Sequence, residues 1–241
     1  MYDLILCAGQ SNMEGCGSGS AERPYQPDER IWITDIFPDK EGDYRLHIAQ
    51  DNRTAHLGLF FARAYAAAGL LAPGRKLLLL NAAVGGTGFR DKRWRPGDDL
   101  EQNMHRMLRW ALALADGAEL RAFLWHQGET DAMLGADAAE YVRNLTTLVA
   151  GVRAACNTPT LPFLCADFVQ QWTQDNREVT APVLAALRES VSALGHAAHV
   201  TTEGLLSNDQ DHGDGDTIHF CRQGLALLGE RYFEAYRSVT A

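Results

Sequence analysis

The sequence is short of positive charge. Its 22 lysines and arginines face 31 aspartates and glutamates, a formal net charge of −9. A surface of that sign repels phosphate backbones and anionic lipid headgroups, so neither nucleic acid nor a membrane is expected as a partner. Cysteine is scarce: the five residues Cys7, Cys16, Cys156, Cys165 and Cys221 contain no Cys-x-x-Cys pair. An odd set without paired spacing argues against a disulfide framework and for a reducing compartment. No apolar run is long enough to cross a bilayer. No basic segment followed by an apolar one opens the chain, because Asp3 interrupts the first residues. A cytoplasmic protein is the expectation. Repeats, low-complexity tracts and domain linkers are absent as well. What remains, 241 residues of which 46% are apolar, suits one α/β domain over residues 1–241 with a sizeable core.

The stretch that organises the rest is Tyr2-Asp3-Leu4-Ile5-Leu6-Cys7-Ala8-Gly9-Gln10-Ser11-Asn12-Met13. Its apolar run is too short for a helix and reads as a buried strand. Gly9 permits a sharp turn. Ser11 then stands past the carboxyl end of that strand, the edge where open α/β sheets bind ligands. Residues 13–30 are rich in Gly, Ser and Pro and read as a loop. Residues 31–34 read as a second strand, and 37–54 as a polar, irregular, substrate-facing loop. The spacing of Leu57, Phe60, Phe61, Ala64 and Tyr65 predicts a helix over 57–68, with Thr54 as its cap. Further strands are expected at 77–80, 122–125, 162–168 and 199–202. Leu100, Met104, Met107, Leu108, Ala111 and Leu114 mark one face of a helix. Tyr141, Leu145, Leu148, Val149 and Val152 mark another, with Asp137 and Glu140 resembling a capping box at its start. Leu184, Leu187, Val191 and Leu194 mark a third, with Pro182 in its first turn. Residues 207–217 read as an acidic loop, and 224–236 as a closing helix. Alternating strands and helices predict a parallel sheet covered on both faces.

A serine hydroxyl is a weak nucleophile at neutral pH and needs a base. Among the eight histidines His219 stands out, because Asp216 lies three residues before it. One loop can then present both side chains, the carboxylate holding one imidazole nitrogen and leaving the other for Ser11. A plain turn interaction is the bland alternative. Acyl transfer also needs donors aimed at the developing oxyanion. The candidates are the Ser11 N–H, the Gly86 N–H in the strand exit Gly85-Gly86-Thr87-Gly88, and the side-chain amide of Gln127. That exit matches neither a P-loop nor Gly-x-Gly-x-x-Gly. His126-Gln127-Gly128-Glu129 is polar directly after a buried strand, where such groups must be bonded or wet. No metal is expected. His-Glu-x-x-His is missing, and the run from Asp209 fails the calcium-loop pattern at Asp214 and Phe220. No other cofactor is implied. Trp94 and Arg95 follow the glycine-rich exit as candidate substrate-binding residues, one to stack on a sugar and one to hold a carboxylate. For Trp94 a loop anchor is the preferred reading. His47, His56, His105, His196, His199 and His212 show no partner pattern.

The blocks Gly9-Gln10-Ser11-Asn12-Met13, Gly85-Gly86-Thr87, His126-Gln127-Gly128-Glu129-Thr130-Asp131 and Asp216-Thr217-Ile218-His219 occur in that order. Together they resemble the SGNH hydrolase superfamily, and within it the sialate O-acetylesterase and carbohydrate esterase family 6 (acetylxylan esterase) branch. The resemblance implies a flavodoxin-like three-layer α/β/α fold. It implies a serine esterase that removes O-acetyl groups from a small-molecule or oligosaccharide ester through an acetyl-enzyme. Ser11 would be the nucleophile, His219 the base, Asp216 its orienting acid, and Gly86 part of the oxyanion hole. Gln127 stands where the broader superfamily carries an asparagine. Glu129 matches a second proposed triad acid of this branch. It is kept as an alternative or supporting acid beside Asp216, which loop proximity favours. A non-catalytic sugar-binding protein on the same fold, and an esterase or thioesterase for another acyl group, are the competing functions.

Overall fold

The computed structural model describes residues 1–19, 26–51 and 55–241; Thr54, expected as a helix cap, lies outside them. Seven strands form one sheet: Tyr2–Gly9 (β1), Ile31–Thr34 (β2), Leu46–Ile48 (β3), Lys76–Asn81 (β4), Glu119–His126 (β5), Phe163–Ala166 (β6) and Ala197–Val200 (β7). Their order is β3-β2-β4-β1-β5-β6-β7, and every pairing except β2 with β3 is parallel. The helices are Ser11–Glu14 (α1), Leu57–Ala67 (α2), Asp99–Ala113 (α3), Glu129–Met133 (α4), Ala138–Ala155 (α5), Gln170–Asp175 (α6), Arg177–Leu194 (α7), Asn208–His212 (α8) and Arg222–Thr240 (α9). They pack in two groups, α2 with α9 and α5 with α3 and α7. None of the described helices is long and apolar enough to cross a membrane.

The central strands have continuous apolar sequences because both their faces are covered. Leu4, Ile5 and Leu6 of β1 and Leu77 to Leu80 of β4 have no exposed surface. Truncating one such leucine to alanine costs about 2–5 kcal/mol. Cys7 and Cys165 are equally buried, as small hydrophobes.

Several element bounds differ from expectation. The antiparallel edge strand β3 lies within the stretch read as a loop; its few residues are too short a run to display alternation. β7 begins two residues earlier than expected. α7 starts at Arg177, so Pro182 lies inside it and not in its first turn. There it forfeits the bond that a residue's N–H would give to the Glu178 carbonyl. Asp137 does cap α5, accepting from the Glu140 N–H at 2.8 Å. A full capping box starts α8 instead, from Ser207 and Gln210, inside the expected acidic loop. Leu114 lies beyond α3 and is 37% exposed.

The sheet's carboxyl edge gathers three strand exits. Gly9 at the end of β1 pairs with His126 at the end of β5, and Cys7 pairs with Asn81 at the end of β4. Gly9 has φ of +132°, and a Cβ there would stand 2.1 Å from the His126 carbonyl oxygen. Only glycine fits this crossing, after which the Gln10 N–H donates to His126 O at 2.9 Å.

Candidate active site

Ser11 is the first residue of α1, turned out of the sheet directly after Gly9. Its Oγ lies 2.9 Å from His219 Nε2, joining positions 208 residues apart. His219 Nδ1 lies 2.9 and 2.8 Å from the two carboxylate oxygens of Asp216. Asp216 also accepts from the His219 N–H at 3.2 Å and from Asn208 Nδ2 at 2.9 Å. Burial works to raise the Asp216 carboxyl, but the hydrogen bonds from Asn208 and His219 outweigh it and hold the group below its ordinary value. An ionised carboxylate only accepts, so Nδ1 carries the imidazole proton and Nε2 presents its lone pair to Ser11. The row is therefore poised to take the serine's proton. The sequence-predicted Ser11, His219 and Asp216 are brought together.

The β4 exit lies against this row. A Cβ added to Gly85 would stand 3.5 Å from Ser11 Cβ and 3.1 Å from Glu14 Oε2. The Gly85 N–H is already given to Glu14 at 2.6 Å. Gly86, at φ of +69°, is exposed. Among the described residues its N–H and that of Ser11 have no acceptor. Gln127 differs from expectation. Its Nε2 donates to Asp131 at 2.7 Å, Thr87 O at 3.1 Å and Gln10 Oε1 at 3.2 Å, and its Oε1 accepts from Tyr141. The amide is spent inside the protein instead of facing the serine. Asp131 also accepts from the N–H groups of Phe89 and Arg90, so with Gln127 it anchors the loop that carries Gly86. Burial raises the Asp131 carboxyl despite these bonds.

Trp94 is fully buried, its indole N–H donating to Thr87 Oγ1 at 2.9 Å, with no face open for a sugar. It is a loop anchor, not a stacking platform. Arg95 pairs with Asp98 at 3.3 Å within its own loop and joins no residue of the row. Glu129 is buried and does not bond His219. Its Oε1 accepts from Asn12 Nδ2 at 3.0 Å and lies 3.7 Å from His126 Nε2. Burial raises the Glu129 carboxyl, but His126 and Asn12 outweigh it and hold the group low. Asn12, Asn208 and Asp131 escaped the sequence reading as site residues, although Asn12 and Asp131 stand in its motif blocks. The partners of Asn12 and two of those of Asp131 come from distant loops, which spacing does not reveal.

Four of the histidines that show no partner pattern in the sequence lie within ion-pair distance of a carboxylate, His47 of Asp35, His105 of Glu101, His199 of Asp167 and His212 of Asp211, and His212 also meets Ser18. Among the described residues no three His, Cys, Asp or Glu side chains are placed to hold a metal ion. The hollows between α2 and α9 and beside the C-terminus have no residue of the row in their lining.

A parallel sheet between helices, carrying its serine past the first strand, is the architecture of the SGNH or G-D-S-L hydrolases. A G-D-S-L lipolytic family member from Veillonella parvula superposes with a TM-score of 0.51 at 12% identity, over 98% of this chain and 99% of that one. The crystal structure of NanS superposes at 0.80 with 17% identity, over 98% of this chain and 97% of that one. More particularly, the family model described as carbohydrate esterase, sialic acid-specific acetylesterase, matches residues 1–238, and the chain belongs to that family. A probable carbohydrate esterase of Arabidopsis thaliana is 27% identical over 179 residues, 67% of this chain and 66% of that relative's length.

Proposed function

We propose that this chain hydrolyses O-acetyl esters of carbohydrates, with Ser11 as nucleophile, His219 as general base and Asp216 as orienting acid. The observation that carries the reading is the Ser11–His219–Asp216 row, with Oγ to Nε2 at 2.9 Å and Nδ1 to carboxylate at 2.8 Å. Ser11 Oγ attacks the acetyl carbonyl while Nε2 takes its proton. The N–H groups of Ser11 and Gly86 receive the negative charge on the carbonyl oxygen. As the ester C–O bond breaks, the imidazolium returns the proton to the departing sugar oxygen. Water then attacks the acetyl-enzyme, giving its proton to the same nitrogen, and acetate and free serine are regenerated.

Family membership supports an acetylated carbohydrate as the substrate class. The test is acetate release from p-nitrophenyl acetate, acetylated xylan fragments and O-acetylated sialic acid, with wild type and Ser11→Ala. The expected result is turnover of at least one sugar ester that Ser11→Ala abolishes. Equal rates for the two proteins would overturn the nucleophile. Sugar binding without turnover of any ester would overturn the enzyme.

A further inference from the structure

The proposed base and nucleophile come from opposite ends of the chain, so something must fix one against the other. Most bonds of the His219 loop are internal. Asn208 N–H donates to His219 O, Asp209 N–H to Asp216 O, and Cys221 N–H to Leu206 O. These shape the loop, and Asn208 ties its start to the chain beyond Ser11, accepting from the Ser18 N–H at 3.0 Å and donating to Cys16 O at 3.3 Å; none of them holds the backbone beside His219 against Ser11.

Asn12, next to the serine, makes the connection that flanks His219 itself. Its Nδ2 donates to the Ile218 carbonyl at 3.1 Å, and its Oδ1 accepts from the Phe220 N–H at 3.1 Å. The two backbone groups lie on either side of His219. The second Nδ2 hydrogen goes to Glu129. Asn12 and Glu129 have no exposed surface. The Phe220 ring extends the contact, edge-on to His126 at 5.7 Å between centroids.

We propose that Asn12 is a positioning residue for the base: its carboxamide, oriented by the carboxylate of Glu129, locks the backbone flanking His219 onto the segment that carries Ser11. The proposal rests on the Ser11–His219 reading above. A carboxamide has two ends of similar shape and opposite hydrogen-bonding sense. Reversed, it would set a donor against the Phe220 N–H and an acceptor against the Ile218 carbonyl. A carboxylate accepts only, so Glu129 selects the productive orientation. This gives Glu129 a task at the site other than serving as triad acid.

Loosening the clasp displaces His219 from Ser11 while leaving the His219–Asp216 pair intact on its own loop. A misplacement of about 1 Å can cost a reaction about 100-fold. The test is covalent labelling by a fluorophosphonate, which reports the fraction of competent sites and the rate per site separately. Circular dichroism checks the fold of each variant. Asn12→Ala and Asn12→Asp are expected to label to full stoichiometry at rates about 10- to 100-fold below wild type. On p-nitrophenyl acetate the loss should fall on kcat with KM little changed.

The double variant Asn12→Asp with Glu129→Gln restores a donor opposite an acceptor and is expected to label severalfold faster than Asn12→Asp alone. Asn12→Ala labelling at the wild-type rate overturns the proposal. So does a lower stoichiometry at an unchanged rate per site, or loss of fold in both single variants, since each marks a purely structural residue. A double variant no faster than Asn12→Asp overturns the part given to Glu129. Ser11→Ala distinguishes the two levels: if it still turns over ester, the triad reading fails whatever Asn12 does.

Discussion

Asp216→Asn puts the proposed orienting acid to a demanding test, because the surrounding donors leave the amide no satisfactory orientation. One carboxylate oxygen accepts from the His219 N–H and Nδ1, the other from Nδ1 and from Asn208 Nδ2. With its oxygen toward His219, the new amide sets its NH2 against the NH2 of Asn208. That group cannot simply turn over, since Asn208 Oδ1 holds the Ser18 N–H at 3.0 Å. With its oxygen toward Asn208, the amide donates to Nδ1. The imidazole then carries its proton on Nε2 and has no lone pair for Ser11. Each arrangement loses a hydrogen bond worth about 1–3 kcal/mol, and both lose the charge that stabilises the imidazolium. In a serine protease the equivalent change of a buried aspartate costs about 10⁴ in kcat. The Asp216 side chain is 30% exposed, and solvent screens part of its charge. The expected loss is therefore about 10²–10³ in kcat, equivalent to roughly 3–4 kcal/mol of barrier, with KM little altered. Steady-state kinetics on p-nitrophenyl acetate measure it. Adding Asn208→Ala to Asp216→Asn removes the opposing donor and is expected to return part of the loss. Asp216→Asn activity within threefold of wild type would refute the assignment.

Other expectations concern stability and a neighbouring serine. His56 is buried, and among the described residues neither ring nitrogen has a hydrogen bond; Asn81 lies close, at a geometry too poor for one. Burial drives its pKa from 6.5 down to about 4. The unfolded chain thus binds a proton that the folded chain refuses, and stability falls as pH drops from about 6.5 towards 4. Between pH 7 and pH 4 this one group removes about 3 kcal/mol, at about 1.4 kcal/mol per pH unit. Urea unfolding of His56→Leu should show a correspondingly smaller loss, and an unchanged pH slope would contradict the assignment. Ser18→Ala is expected to retain wild-type turnover of p-nitrophenyl acetate; a loss comparable to that of Ser11→Ala would make Ser18 the nucleophile.

What the sequence revealed, and what it concealed, follows from the range of the interactions. β1, β4 and β5 were legible because burial on both faces writes itself as an unbroken apolar run. Ser11 and the Asp216–His219 pair, which the structure brings together, were legible because each belongs to a short local pattern. Gln127 was misread because two of the three acceptors that occupy its amide, Gln10 Oε1 and Thr87 O, come from the β1 and β4 exits, while the third, Asp131, is turned inward by its bonds to the Phe89 and Arg90 N–H groups. Loop proximity favoured Asp216 over Glu129 as the acid beside His219, but that Glu129 meets Asn12 and not His219 is a contact across the fold, which spacing does not show. β3 and α8 were missed for a simpler reason: neither is long enough to show a period. One partner of His212, Ser18, lies beyond any pattern of spacing.

That last partnership bears on why Ser11, and not Ser18, is proposed as the nucleophile. Ser18 Oγ lies 2.8 Å from His212 Nε2, and His212 Nδ1 lies 2.8 Å from Asp211 Oδ2. Hydroxyl, imidazole and carboxylate thus lie together for a second time at distances matching those at Ser11, although the contact between the neighbouring Asp211 and His212 is an ion-pair distance without the hydrogen bond that joins Asp216 to His219. The backbone separates the two rows. The Ser18 N–H is given to Asn208 Oδ1, whereas the Ser11 N–H has no acceptor among the described residues and stands beside the exposed turn of Gly86. A row of side chains can move a proton, but the tetrahedral oxygen needs donors that are still unspent when it forms. The supporting structure differs as well. Asp211 and His212 close a short helix, while Asp216 is braced by Asn208 and the backbone of His219 is held on both sides by Asn12. The features that set the Ser11 row apart are therefore the N–H groups of Ser11 and Gly86, which follow the strand exits at Gly9 and Asn81, and an imidazole whose flanking backbone is held by Asn12, beside the Gly9 exit.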